Sequence, residues 1–361
     1  MKTVLRKQHV DSSDSALFGW LTFRATQPSD RQAGQRPYET VPDDELQHIE
    51  RLTDNIRRLL EQRYAGKPTL RDAHPKMHGF VQALLEVEPN LPGELRHGLF
   101  AAPGEKYRGW VRFSNEHHDP QSDHKPDTRG LALKLLDIPG DKLLDGEESS
   151  PCHDFIFLST PRFVARDVAG FGELINALVN NSALSWLRSV PALVRHAVSA
   201  KVATSPLETE YFSVVPALLG PQPVKYVVRP CSAEKSPLPP KSEVDFLRAR
   251  LAQQLAEKDY CFAVFVLPFV DPKTTPIEDS TVRWAVPPIR VATLRIPRQT
   301  GFDQPERREL GENLAFNPFR CLPEHRPLGG INRARRKVYR AIAAFRHTRN
   351  GVSSEVPAWP V

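Results

Sequence analysis

The spacing of apolar residues changes along the chain, from a helical period to short runs typical of strands. In residues 41–64 apolar side chains recur every three or four positions, for example at Ile49, Leu52 and Ile56. This is the spacing of an amphipathic helix that packs one face against a core. Asp43 lies just before the repeat, where an aspartate can accept hydrogen bonds from the first free amides. The pattern predicts a helix over residues 41–64.

After this helix the apolar residues fall in short, β-leaning runs separated by proline or glycine, which predict strands. Helical spacing returns at 164–203 and 241–258, and a basic helix follows at 331–348. Few strands alternate with helices, which disfavours a parallel sheet. We therefore predict an α+β fold, an antiparallel eight-stranded β-barrel with helical insertions and a C-terminal helix. The predicted strand segments are FVQALLEVEP, GLFAAP, YRGWVRFSN, RGLALKLLDIP, DFIFLST, YFSVVPALL, VKYVVRP, YCFAVFVLPFV and RVATLRIP.

One structural domain accounts for most of the chain. Polar, turn-rich residues precede the first helix, and residues 1–40 are predicted to form an N-terminal arm. No linker with a shift in composition divides the remainder, so residues 41–361 are predicted to form a single domain. The polar segment 231–242 is predicted to be an exposed loop.

Composition excludes several classes of protein. The chain has 361 residues, 40% hydrophobic and 25% charged, the balance of a soluble globular protein. Its 34 prolines exclude a fold of mostly long helices. No apolar run approaches the roughly 18 residues of a membrane span, and the polar N-terminus does not resemble a signal peptide. The four cysteines have no regular spacing, which excludes a disulfide framework and a cysteine zinc site. A reducing, cytoplasmic location is expected.

Histidines occur in two segments that deserve consideration as metal sites. His74 and His78 stand four residues apart, but Pro75 favours extended backbone at His74 and no HExxH glutamate follows. A second group, His117, His118 and His124, lies among acids in the segment EHHDPQSDHKP with no recognisable ligand spacing. We favour a structural role for the first pair and a solvated loop for the second group.

The C-terminal basic helix carries a tyrosine between arginines. Arg335 and Tyr339 are four residues apart, and Arg346 follows seven residues later, so all three fall on one helical face. Taken alone, the net charge of +6 and the basic helix are compatible with a surface helix or a nucleic-acid patch. A neighbouring guanidinium, however, favours the anionic form of a phenol, and tyrosinate is an axial ligand of haem iron.

Five short motifs, in order from about residue 67 to residue 346, together resemble the catalase family. An Arg-x-x-His-x-Lys motif spans residues 71–76, and RFS follows at 112–114. DxRGxAxK spans residues 127–134, FNP spans 316–318, and RxxxY with a downstream arginine begins at Arg335. Because 22 residues follow Tyr339, the resemblance is to the short, minimal catalase-like haem peroxidases.

The resemblance implies a role for each motif residue. Tyr339 would be the proximal ligand of the iron of haem b, on a C-terminal haem-ligand helix, with Arg335 as its hydrogen-bonding partner. His74 would be the distal acid–base, and Ser114 would fix the orientation of its ring. The propionates would be bound by Arg71, Arg112 and Arg346.

The resemblance also implies apolar walls for the haem pocket, from Phe155, Phe157 and Phe163. The sequence departs from the family pattern at one residue of the distal side. Full-size catalases carry a distal asparagine that orients peroxide, and we expect Cys152 or His153 at the matching place. The expected outcome is peroxidase turnover in preference to fast oxygen evolution.

The implied activity is that of a haem-dependent peroxidase or catalase-like oxidoreductase acting on hydrogen peroxide or organic hydroperoxides. Its partners would be the peroxide and a small organic reductant, and we expect a homo-oligomer without a nucleic-acid partner. One alternative is a fatty-acid hydroperoxide isomerase or dehydratase like allene oxide synthase, although Ala73 stands where that branch has threonine. A non-catalytic haem-binding or DNA-binding module is another. Residues 171–203 fit an ordinary packing element, an apolar substrate wall or a contact with a membrane surface.

Overall fold

Alternating apolar residues fold the middle of the chain into a closed antiparallel barrel. The fold is taken from a computed structural model that describes residues 38–353. The sheet runs in the order β5-β4-β3-β2-β1-β9-β8-β7-β6, and pairing of β5 with β7 closes eight strands into the predicted barrel. The strands are β1 (Lys76–Val87), β2 (Lys106–Asn115), β3 (Arg129–Leu135), β4 (His153–Leu158), β5 (Tyr211–Phe212), β6 (Ala217–Leu219), β7 (Gln222–Pro230), β8 (Tyr260–Pro268) and β9 (Ile289–Ile296).

Helices occupy the connections, mostly where the sequence predicts them. They are α1 (Glu45–Arg63), α2 (Val168–Asn180), α3 (Ala183–Ser199), α4 (Phe246–Glu257), α5 (Pro305–Asn313) and α6 (Gly330–Asn350). The N-cap of α1 is Asp44 rather than Asp43, and Glu45 in its first turn forms ion pairs with Arg333 of α6. The sequence did not predict α5, a short helix of mostly polar residues.

The predicted strand GLFAAP is wrong, because Gly98–Phe100 forms a 3₁₀ turn. Gly98 adopts a φ of 52°, and the amide of Leu99 donates a hydrogen bond to the His325 ring at 2.9 Å. The turn places Phe100 in the barrel core. Segment 231–242 is an exposed loop, as predicted. The predicted arm, residues 1–40, lies almost wholly outside the described residues.

The two largest apolar cores in the described part of the chain position the site. The larger one fills the barrel, and the smaller one joins α1, α2 and α6 through residues such as Leu52, Ile56 and Val338. Tyr339 packs against the smaller core and is half-buried. Among the described residues, no helix combines the length and apolar character needed to cross a bilayer.

A buried carboxylate ties α6 to the barrel. Asp154 on β4 lies 2.6 Å from the ammonium of Lys134 on β3, and both side chains are fully buried. Asp154 also ion-pairs with Arg320 and accepts a hydrogen bond from the amide of Asn317 at 2.9 Å. The Asn317 side chain in turn donates to the carbonyl of Arg336 on α6 at 3.1 Å. The lysine of the DxRGxAxK motif and the asparagine of FNP therefore position the helix that carries Tyr339.

The cysteines depart from prediction. Cys231, just beyond β7, forms a disulfide with Cys261 on β8, whereas Cys152 and Cys321 are buried free thiols. Antiparallel pairing of the two strands brings these residues together although they are 30 positions apart, and the amide of Cys231 donates to the carbonyl of Cys261. The sequence excluded a disulfide framework, and the four cysteines form one disulfide that it did not foresee, so the cytoplasmic prediction loses the support it drew from the cysteines.

Replacing Asp154 tests this tie. Asp154→Asn leaves the buried charge of Lys134 without its counter-charge, and we expect the free energy of unfolding to fall by about 3–5 kcal/mol. Asp137→Asn is the matched control, because Asp137 pairs with Arg108 on the exposed surface and such pairs contribute little. Urea denaturation of both variants measures the difference; equal, small effects would contradict the role of Asp154.

Candidate functional site

The register of three strands places the motif residues on the outer face of the barrel. Ser114 on β2 pairs with Gly130 on β3, and Gly130 pairs with Leu158 on β4. Successive side chains of a strand point to opposite faces, and the neighbours Phe113 and Leu131 lie in the barrel core. Ser114 and Gly130 must therefore face outwards, away from that core.

The same register corrects the predicted pocket walls. Phe157 pairs with Leu131 and belongs to the barrel core, with Phe155 packed against it. Their neighbours Ile156 and Leu158 share the outer face with Gly130 instead, because they alternate with the two phenylalanines. Phe163 packs against the smaller core, as Tyr339 does.

His74 is held against the barrel by three contacts. Its Nδ1 lies 3.1 Å from Ser114 Oγ, and its backbone amide donates to the carbonyl of Glu116 at 3.1 Å. A Cβ on Gly130 would lie 2.7 Å from the imidazole ring, so glycine is required at that position. His74 has a φ of 64° rather than the extended backbone predicted from Pro75. Such left-handed residues persist where surrounding contacts hold them.

The electrostatic surroundings keep His74 neutral. Burial, followed by repulsion from Arg112 and Arg71, lowers the pKa of His74 to about 3. Arg112 also donates a hydrogen bond to the carbonyl of His74 at 3.0 Å. A neutral imidazole has one nitrogen free to accept a proton. Because Nδ1 contacts Ser114, Nε2 is the nitrogen that remains for chemistry.

A buried polar network extends from the remaining motif residues. Lys76 lies 2.8 Å from Asp123, and Asn115 donates to the same carboxylate at 3.0 Å. Arg129 donates to the Asn115 side chain, which lies 2.5 Å from Nε2 of His78. His78 thus belongs to this buried network, and its structural role stays a prediction. Across the described part of the chain, no three His, Cys, Asp or Glu side chains are placed to hold a metal ion.

The three predicted propionate-binding arginines converge on the C-terminal end of α5. Arg71 Nη1 lies 2.9 Å from Glu312 Oε2, and Arg112 Nη2 lies 2.9 Å from Glu312 Oε1. Arg346 donates to the backbone carbonyl of Glu312. Residues separated by more than 200 positions therefore form one cluster, which we call the arginine cluster.

Positive charge exceeds negative charge in the arginine cluster. Within residues 38–353, Glu312 is the carboxylate that ion-pairs with Arg71 and Arg112, whereas Arg346 binds only its backbone carbonyl. Burial and the charges of Arg112 and Arg346 hold the pKa of Arg71 well below its usual range. Burial also lowers the pKa of Arg346 to about 10. Two positive charges remain without a matching carboxylate.

Tyr339 and Arg335 are neighbours on α6, as their spacing predicts. Arg335 Nε donates to the phenolic oxygen of Tyr339 at 3.3 Å, and its Nη1 donates to Asn332 Oδ1 at 3.2 Å. The same helix carries Arg346 into the arginine cluster, so α6 contributes to both parts of the site.

The structure places Cys152 away from His74, contrary to expectation. Cys152 precedes the first residue of β4, whereas Leu158 at the other end pairs with Gly130 beside His74. Six residues of extended chain separate the two ends by roughly 20 Å. His153 stacks on Phe155 at the same far end. Ser159 follows Leu158 at the His74 end, and its hydroxyl accepts the amide of Arg129 at 2.8 Å.

Sequence reasoning missed two site residues. Glu312 lies in a polar stretch with no motif, so nothing in the sequence pointed to it. Gly130 belongs to a recognised motif, but the reason for glycine became visible only when the imidazole of His74 was seen beside it.

Comparisons with known proteins find catalases by structure. A fungal catalase aligns at 16% identity and a TM-score of 0.59 over 80% of this chain and 61% of that one. Catalase A from Saccharomyces cerevisiae aligns at 15% identity and a TM-score of 0.59 over 80% of this chain and 63% of that one. A bacterial catalase aligns at 19% identity and a TM-score of 0.57 over 89% of this chain and 64% of that one. No family model and no curated protein matches the sequence. The chain has the catalase fold and spans a little over 60% of the length of these catalases.

Glu312 should make stability depend on pH. Burial alone would raise its pKa, but Arg112 and Arg71 outweigh burial and hold the pKa below 4.5. A lowered folded-state pKa stabilises the fold above about pH 4.5, and this contribution is lost as the pH falls through the folded value. At pH 7, without added haemin, Glu312→Gln should lower the free energy of unfolding by about 2–3 kcal/mol.

The difference between wild type and Glu312→Gln should shrink as the pH falls below about 4.5. Glu309→Gln, at an exposed position of α5, serves as the control. Urea denaturation at several pH values measures the effect. A difference that stays constant with pH would mean that the carboxylate is not paired with the arginines.

Proposed function

We propose that the chain binds haem b at the site formed by His74, Tyr339 and the arginine cluster, and that it acts as a peroxidase or catalase-like oxidoreductase on hydrogen peroxide or organic hydroperoxides. The observation that carries this proposal is the arginine cluster. It gathers three cations from β2, α6 and the segment before β1 beside His74, and leaves two charges unmatched. A ligand with two carboxylates would balance the charge of such a site.

The donor set suits haem in each of its parts. The phenolic oxygen of Tyr339, with Arg335 as hydrogen-bond donor, is an iron ligand of the type found in catalase. Two propionates would balance the two unmatched positive charges of the arginine cluster, with Glu312 supplying the third negative charge. Arg71, Arg112 and Arg346 can each form bidentate hydrogen bonds with a carboxylate.

The residues of the chain divide the work of the reaction between them. Bound haem would supply the redox chemistry. His74 is neutral at physiological pH, so its Nε2 accepts the proton from the incoming peroxide and returns it to the departing oxygen. Ser114 fixes the orientation of the ring through its contact with Nδ1. When Nδ1 carries the hydrogen and donates it to the Ser114 hydroxyl, Nε2 is unprotonated and can accept a proton.

Peroxidase turnover is favoured over fast oxygen evolution. The β4 end beside Gly130 presents Leu158, Ser159 and Thr160, none of which has an amide side chain to orient hydrogen peroxide. The Ser159 hydroxyl already accepts a backbone amide. The proposal includes a peroxide as the substrate and a small organic reductant as the electron donor. It also includes assembly of the chain into a homo-oligomer.

The basic helix gives no support to a nucleic-acid partner, because several of its charges are paired within the chain. Arg333 forms ion pairs with Glu39, Glu45 and Glu278. Further along α6, Lys337 pairs with Glu50, and Arg346 belongs to the arginine cluster. Cations engaged in this way are poorly placed to contact phosphates.

Tyr339→Phe tests the cofactor. We expect the variant to lose haem or to change its ferric absorption spectrum, because the substitution removes the oxygen that binds iron. Tyr260→Phe, at a half-buried tyrosine on β8, is the control and should keep the wild-type spectrum. Haemin titration followed by absorption spectroscopy measures both variants. Full haem content with an unchanged spectrum in Tyr339→Phe would refute the ligand assignment.

His74→Ala tests the acid–base role. Dye oxidation by hydrogen peroxide should slow by roughly a hundredfold or more, the usual contribution of such a group. His78→Ala should stay within about threefold of wild type and should instead lower the melting temperature, since it loses a buried hydrogen bond. Oxygen evolution, measured on the same preparations, should be weak throughout. A larger loss of rate in His78→Ala than in His74→Ala would reverse the assignment.

A further inference from the structure

The third helix turns its polar side inwards. Ser185, Ser189 and Ala192 are the buried residues of α3. The Ser185 hydroxyl donates to Glu173 on α2 at 2.7 Å and accepts from Asn176 at 2.8 Å. Amphipathic helices of soluble proteins normally bury their apolar side. The packing of α3 on α2 is therefore the reverse of the usual arrangement.

Apolar side chains cover the opposite side of α3 and are exposed. Their positions advance by three or four residues, so they form one continuous surface, which we call the α3 apolar face. The exposed fraction of each residue is large: Leu184 55%, Leu187 69%, Val190 48%, Leu193 37%, Val194 56% and Val198 77%.

The charges carried by α3 itself and by the residues just after it have one sign. Residues 180–207 contain no aspartate or glutamate, whereas Arg188, Arg195 and Lys201 are basic. Arg188 is paired with Glu173 of α2 at 3.0 Å, which leaves Arg195 and Lys201 as the cations without a carboxylate partner in the described part of the chain. The two arginines are seven residues, or two helical turns, apart and therefore lie at the same edge of the apolar face. Trp186 is half-buried beside the face, with its indole nitrogen bonded to Asn181 at 3.1 Å. Tryptophan and basic residues at the margin of an apolar face are typical of helices that lie in a membrane interface.

We propose that the α3 apolar face docks peripherally onto a membrane surface with anionic lipid headgroups. The apolar side chains would enter the boundary between headgroups and acyl chains, and the basic residues would contact the headgroups. A second copy of the chain is a poorer occupant. Two such faces packed together would bring Arg195 and Lys201 of both copies close, and residues 180–207 carry no acid to pair with them.

The docking surface ends beside the candidate active site. His196, in the last turn of α3, lies 3.9 Å from Glu116, whose backbone carbonyl accepts the amide of His74. Lys201 pairs by backbone hydrogen bonds with Asp127 at the start of the DxRGxAxK motif. Docking therefore favours hydroperoxides of lipid acyl chains as substrates; this last step rests on the proposed function, whereas docking itself does not.

Vesicle flotation of the full chain tests the docking. We expect binding to vesicles of phosphatidylcholine and phosphatidylglycerol, and weak binding to phosphatidylcholine alone. The double variant Leu187→Ser, Val198→Ser should bind at least about tenfold more weakly, because each exposed apolar side chain contributes to insertion. Lys201→Gln, at an exposed position, should weaken binding by about fivefold. Leu238→Ser, at an exposed leucine of the loop 231–242, should bind like wild type.

Three results would overturn the docking. Wild type that floats with neither vesicle would exclude it, as would a double variant that binds as tightly as wild type. A double variant with a lower melting temperature or a smaller mass in sedimentation would show instead that residues 1–37 or a second copy cover the face. None of these readouts depends on haem, so a failure of docking is separate from a failure of the proposed function.

Discussion

The buried carboxylate of Asp154 holds the two halves of the site together. It faces Lys134 and Arg320 inside the protein and receives the amide of Asn317, which binds the backbone of α6 in turn. Ion pairs in this setting depend on good geometry, because removing two charges from water costs several kcal/mol. The barrel and the tyrosine-bearing helix are therefore fixed relative to each other by polar contacts that tolerate little displacement.

The residues of the candidate site on the outer face of the barrel depend on this fixed arrangement. Pairing of Ser114 with Gly130 places a hydroxyl and an open position side by side, and the imidazole of His74 occupies that opening. Arg112 then links the carbonyl of His74 to Glu312. His74 and Glu312 thus share one arginine, whose charge adds to the effect of burial in keeping the imidazole neutral.

Short motifs allowed much of the site to be predicted from the sequence. Arg335 and Tyr339 meet because four residues make one helical turn, which is a local property. His74 and Ser114 meet as the motif order implied. The position of Cys152 was predicted wrongly, because the sequence does not show which end of β4 lies beside His74. The pairing register of β3 and β4 decides this. The disulfide between Cys231 and Cys261 was missed for the same reason, since it depends on which strands are neighbours.

The sequence by itself determined the helices, most of the strands and the barrel class, because periodicity reflects which side of each element is buried. It also identified the motif residues from which the candidate site is built. Only the tertiary structure decided that Phe155 and Phe157 face the barrel core, that Glu312 enters the arginine cluster, and that α3 exposes its apolar side. Each depends on contacts between segments far apart in the chain, and local patterns of residues do not specify those contacts.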